Sequence, residues 1–163
     1  MKLPSTLALA SALFLTAGCV TPQKTAIWVS PEAKSGSSLT HAILPFADAN
    51  AKQDKEKFPE AAKVVQEAFE TAFLESGHKV VAPGNEEASV QGTVTCFYRG
   101  AFGGRYTTVG FEVKAVAAKS GAVLWKASYI KRTRWDYKYE PAMLAREVAA
   151  ELVEELTVSG RLP

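Results

Sequence analysis

The chain has 163 residues, with 19 Lys and Arg against 17 Asp and Glu, a net charge of +2. Such a near-neutral balance argues against a nucleic-acid partner, which requires a concentrated basic footprint. Only two cysteines and two histidines are present, and neither a zinc-protease HExxH nor a serine-hydrolase GxSxG spacing occurs, so the sequence points away from catalysis and offers no metal or cofactor site.

Residues 1–19 read MKLPSTLALASALFLTAGC: a lysine near the start, an apolar run from Leu7 to Leu15, then Thr16, Ala17 and Gly18. The run is too short to span a membrane as a helix and has the form of an export signal. Two readings of Cys19 follow. In one, the signal is cut after a small residue and Cys19 is a passenger. In the other, which the small-small-Gly-Cys order favours, the stretch resembles the lipobox of bacterial lipoproteins, with Thr16 where Leu is commoner. That resemblance implies cleavage after residue 18 and acylation of Cys19 on its thiol and its new amine. Three acyl chains explain stable anchoring, because one chain binds a bilayer only marginally. Val20, rather than Asp, after the cysteine implies the outer membrane, facing the periplasm. Loss of residues 1–18 removes Lys2 alone among the charged residues, leaving 18 basic against 17 acidic. With Cys19 acylated, Cys96 is the single thiol left and no intramolecular disulfide can form.

From residue 19 to 39 the chain mixes Pro, Ser, Gly and Lys without a periodic apolar face, which predicts a flexible tether of roughly 25 Å root-mean-square span. "AIWV" (26–29) is the exception. It is either an edge strand, favoured by its Trp and β-branched residues, or a segment that docks on a neighbouring subunit. The remaining 120 or so residues suffice for one core.

Within 40–158, "THAILPF" reads as a buried strand stopped by Pro45, followed by a polar loop, "ADANAKQDKEK". Pro59 opens a helix in which Val64, Val65, Ala68, Phe69, Ala72 and Phe73 recur at helical spacing up to Gly77. "HKVVA" (78–82) closes a βαβ unit, so its strand and the first should be parallel with a right-handed crossover. From residue 88 the period changes to two. "ASVQGTVTCFYRG", "RYTTVGFEVKAVAAK" and "AVLWKASYIKRTRW" predict an antiparallel meander. Simple alternation puts Val90, Gly92, Val94, Cys96 and Tyr98 on one face, making Cys96 a small buried hydrophobe rather than a reactive thiol. Pro141 opens the last helix, with Leu144, Ala145, Val148, Ala149, Leu152, Val153 and Leu156 on its core face and Glu147, Glu151, Glu154 and Glu155 opposite. Residues 159–163 form a tail. The expected order is β-α-β-β-β-β-α: an α/β two-layer sandwich, one mixed sheet with two long helices packed on it.

"ILPF" before a long helix, "VQGTV" opening a later strand and "FEVKAVAAKSGAVLWKASY" as a hairpin resemble the small periplasmic lipoprotein domains of the CsgG, PelC and LpoB group, similar in turn to the N-terminal domain of TolB. The resemblance covers 40–158 and implies an outer-membrane-anchored periplasmic domain that either assembles, as the relatives around PelC and CsgG do, or activates a cell-wall synthase, as LpoB does. There is no room here for the barrel strands of a curli-type pore. Where many relatives place a second helix this chain has only "PGNEEAS" (83–89), which predicts a bare region of sheet.

Candidate interaction residues lie in two places. In "YRGAFGGRY" (98–106) a strand follows the glycines, so a phosphate loop is excluded. Arg99 and Arg105 flank that turn, either to bind an anionic group or simply as solvated arginines. In "IKRTRWDYKYEP" (130–141), Lys131, Arg132, Arg134, Trp135, Tyr137 and Tyr139 interleave cations with aromatics, as at interface centres, or as at a strand end that completes the core. Replacing Arg132, Arg134 and Trp135 is expected to weaken assembly on the first reading. His41 and His78 come close if their strands pair. Two functions remain: a non-catalytic, self-associating scaffold in export of a polysaccharide or protein or in envelope biogenesis, or a module that activates a cell-wall synthase. The lipid bilayer, a second copy of the chain or an envelope protein are the expected partners, and the short tether favours the scaffold.

Overall fold

The structure, a computed structural model, describes residues 23–31, 39–100, 106–134 and 140–158. The export signal, Cys19, the tip with Arg105, the segment with Trp135, Tyr137 and Tyr139, and the tail lie outside the described residues.

Among the described residues ten elements run in the order β1 (Gln23–Val29), β2 (Thr40–Ile43), β3 (Ala47–Asp48), α1 (Lys52–Lys57), α2 (Ala61–Glu75), β4 (Lys79–Val80), β5 (Ala88–Gly100), β6 (Tyr106–Ala117), β7 (Val123–Arg134) and α3 (Pro141–Val158). The strands form one mixed sheet in the order β1-β7-β6-β5-β2-β4, with β3 beside β5. β2 is parallel to both β4 and β5, and β5, β6 and β7 form the expected antiparallel meander. The two-layer α/β sandwich is therefore the observed architecture. Residues 26–29 join the sheet edge, and the strand begins at Gln23, antiparallel to β7, so the folded unit takes up part of the stretch read as tether.

The "ADANAKQDKEK" loop is not featureless. Ala47 and Asp48 pair with Thr93 and Val94 of β5. The Asp48 carboxylate accepts from the Asn50 N–H (2.8 Å), and Lys55 Nζ donates to the Asp48 carbonyl (2.8 Å). These bonds set up α1, which periodicity could not reveal because it has no apolar stripe to bury.

The core lies between one face of the sheet and the pair α2/α3. Val65, Phe69, Phe73, Val90, Val94, Val109, Phe111, Trp125, Leu144, Val148 and Leu156 are fully enclosed. Phe69 meets Phe111 edge to face, with ring centroids 5.0 Å apart, and Phe46 at 5.5 Å, distances at which aromatic pairs add to simple burial. Phe46 lies over Gly92, where a Cβ would stand 2.2 Å from its ring, so the missing side chain at 92 admits the phenyl group. α2 ends at Glu75, and Gly77 takes the left-handed conformation (φ +81°) that turns the chain into β4.

Alternation along β5 breaks at a bulge between Val94 and Cys96. The extra residue inverts the strand's faces beyond it. Phe97, opposite Val109, enters the core, while Cys96 and Tyr98 turn to the other side. The expectation that Cys96 shares the Val90/Val94 face is thus corrected. It is half-buried, and burial raises its thiol pKa, which keeps it protonated and unreactive.

Candidate interaction surface

Strand alternation divides the candidate cations between two faces. Lys131 follows Trp125, Ala127 and Tyr129 onto the helix side. Its ammonium reaches Glu147 (2.7 Å) and Glu151 (2.5 Å) of α3, and the Tyr129 hydroxyl donates to Glu151 at 2.7 Å. Burial works against the Lys131 charge, but the bonds to Glu147 and Glu151 outweigh it and raise the pKa. The Tyr129 phenol is pushed well up, first by burial and then by the Glu151 carboxylate. These contacts fasten α3 to β7. The structure gives Lys131 an anchoring role between β7 and α3, and Glu147 and Glu151 reach it from the sheet-facing flank of α3, not from its outer side as helical spacing suggested.

Arg99 also turns to the helix side and pairs with Glu140, immediately before α3, at 2.7 Å. This ion pair ties the end of β5 to the start of α3.

Arg132 occupies the opposite, outer face. Its guanidinium lies 4.3 Å from the Tyr106 ring centroid, and its Nη2 donates to the Tyr98 hydroxyl at 3.1 Å. The Arg134 backbone pairs with Tyr106, but its side chain is outside the described residues. The structure brings Arg132 together with Tyr98, Tyr106 and Thr108, and separates it from Lys131 and Arg99.

The same outer face carries a feature that sequence reading missed. Across β5, β6, β7 and β1, Gln91, Lys114, Lys126 and Trp28 form one row, and Thr93, Glu112 and Ser128 form the next. With Leu44, Pro45 and Ala47 at one side they line an open groove of about 810 Å³. Trp28 is 43% exposed there, with Lys126 Nζ 5.5 Å from its ring. The two long helices pack on the other face. The signal was present in the polar half of each alternating strand, but register was needed to align Lys114 with Lys126.

His41 and His78 do meet: their ring centroids are 5.6 Å apart, with Phe73 beside both. His41 is fully buried and neither ring nitrogen has a hydrogen-bond partner. Burial, then the nearby His78, lowers its pKa to about 4. Burial lowers that of His78 too, and its Nε2 shares a hydrogen bond of 3.0 Å with Thr157. No third ligand converges on this pair: among the described residues no three His, Cys, Asp or Glu side chains are placed to hold a metal ion. No helix among the described residues is long and apolar enough to cross a membrane.

No family model matches the chain and no curated protein matches it. Solved structures do. A PelC dodecamer from Paraburkholderia phytofirmans superposes with a TM-score of 0.62 at 15% identity, over 80% of this chain and 94% of that one. A second crystal form of that dodecamer, with one substitution, gives 0.64 at 16% identity over 80% and 96%. A Xanthomonas campestris protein of the DUF330 family gives 0.57 at 13% identity over 82% and 91%. At these identities the likeness concerns the fold. The described chain has a PelC-like fold.

Proposed function

We propose that this protein is a lipoprotein, anchored through acylated Cys19 to the periplasmic face of the outer membrane, that self-associates as a non-catalytic scaffold. Its role would be in export of a polysaccharide or protein or in envelope biogenesis. The observation that carries the reading is the PelC-like sandwich with one sheet face left open by its helices. The fold's likeness to a protein crystallised as a dodecamer supports self-association. A second support is reach. β1 begins at Gln23, four residues after Cys19, and four residues extend at most about 14 Å. An anchor at Cys19 would hold the sheet edge close to the lipid, which suits a membrane-bound assembly and not a synthase activator reaching across the periplasm.

Light scattering on the detergent-solubilised, full-length protein over a range of concentrations tests this reading. The expected result is a defined oligomer with acyl chains on Cys19 by mass spectrometry. A monomer at every concentration, or an unmodified Cys19, would overturn it.

A further inference from the structure

The two layers of the domain differ in charge. Within α2 and α3, Glu67, Glu70, Glu75, Glu147, Glu151, Glu154 and Glu155 face only Lys63 and Arg146. Lys131 neutralises part of this from the sheet side, but Glu67, Glu75 and Glu154 are exposed on the outside of the helices. On the outer face of β6 and β7 the exposed charges among the described residues are Lys114, Lys126 and Arg132 against Glu112, with exposed Lys79 and Glu87 towards the β2/β4 edge. Exposed apolar side chains are also divided between the layers. Trp28 stands on the sheet, while Leu74 (58% exposed) and Met143 (50%) stand on the helices. Leu74 is seven residues from Glu67 and Met143 eleven from Glu154, spacings that put each pair on one helical stripe.

Two copies meeting sheet to sheet would oppose Lys114 and Lys126 with themselves, and two meeting helix to helix would oppose their carboxylates. The sheet of one copy against the helices of the next puts cations on carboxylates and Trp28 among apolar side chains. We infer that the outer sheet face, centred on Trp28, Lys114 and Lys126, docks on the exposed α2/α3 surface of a second copy, around Glu67, Leu74, Met143 and Glu154. The inference rests on the self-association reading above and adds to it the surface and the symmetry. Such a contact is heterologous, joining different surfaces of the two copies, so repetition builds a ring or a filament rather than a closed pair. The size is adequate. Three strands of 12 or 13 residues and the seven of β1, about 4.8 Å apart, present on the order of 700 Å², close to the roughly 800 Å² per partner of a stable interface.

Charge exchange tests the inference. One full-length variant carries Lys114→Glu and Lys126→Glu, the other Glu67→Lys and Glu154→Lys, each checked for folding by circular dichroism. Either alone should raise the concentration needed for assembly at least about tenfold, because attraction becomes repulsion at two sites. Mixed one to one, the two variants should assemble again at the wild-type concentration, since each now complements the other. An oligomeric wild type whose assembly survives either reversal, or whose reversed variants fail to rescue each other, overturns this interface while leaving self-association standing. A monomeric wild type overturns both. Should a reversal prevent folding, the neutral pair Lys114→Gln and Lys126→Gln replaces it. Its assembly must then weaken, and an unchanged assembly concentration overturns the inference.

Discussion

Lys131 and Arg132 are neighbours in sequence and lie on opposite faces of β7. Lys131 is held between Glu147 and Glu151 against α3, with 15% of its side chain exposed, whereas Arg132 lies exposed across Tyr106 on the face the helices leave open. One face of the sheet holds the domain together and the other is left uncovered by the helices among the described residues. In a strand the distinction is made residue by residue, so a basic cluster in the sequence need not be a basic cluster in space.

Substitutions on the two faces should therefore differ in cost. The largest loss is expected at Phe69, fully buried against Phe46 and Phe111. Phe69→Ala should lower the unfolding free energy by about 3–5 kcal/mol in a denaturant titration, and a loss below 1 kcal/mol would contradict the assigned core.

Acid should act through the same helix-covered side. The folded state holds His41 at a pKa of about 4, below its ordinary 6.5. Its contribution is present above pH 6.5 and is lost as the pH falls towards 4, because the unfolded chain takes up the proton first. The shift corresponds to a loss of about 3 kcal/mol across that window. His41→Leu should flatten the pH profile of stability, and an unchanged profile would assign the acid sensitivity elsewhere.

Gly92 tests the close approach of Phe46. The added methyl of Gly92→Ala would meet that ring at 2.2 Å, and overpacking of this kind costs about 1–3 kcal/mol. A thermal midpoint equal to the wild type's would mean that the ring moves aside freely.

The most direct comparison pairs two lysines of β7. Lys131→Met leaves Glu147 and Glu151 close together without their cation and should cost about 1–2 kcal/mol. Lys126→Met, on the open face, should change stability by no more than about 0.5 kcal/mol while weakening assembly. Equal effects on stability would erase the distinction between the faces.

Much of this architecture was legible beforehand because burial imposes periods on a sequence. The apolar positions of α2 and α3 recur at helical spacing, and those of β6 alternate cleanly, so Phe69, Phe73, Phe111, Leu144 and Leu152 are core residues on either reading. α1 was hidden because a solvated helix has no apolar stripe. The edge strand at 26–29 was readable from its Trp and β-branched residues, but its start at Gln23 depends on pairing with β7. Cys96 was misplaced because one bulge shifts the phase of a two-residue period, and only the partner strand's register shows where the extra residue lies.

Of the candidate site, residue types were legible and grouping was not. Lys114 and Lys126 lie on different strands and look unremarkable in sequence; antiparallel pairing of β6 with β7 sets them side by side. Arg99 stands far from Glu140 along the chain, and its ion pair exists because α3 packs over the end of β5. The sequence by itself determined the elements with an apolar period, their order and which of their residues are apolar, since these follow from local geometry and the period of burial. Only the tertiary structure decided which charges neutralise one another inside the domain and which stay outside, because that choice depends on strand register and on which face of the sheet the helices cover.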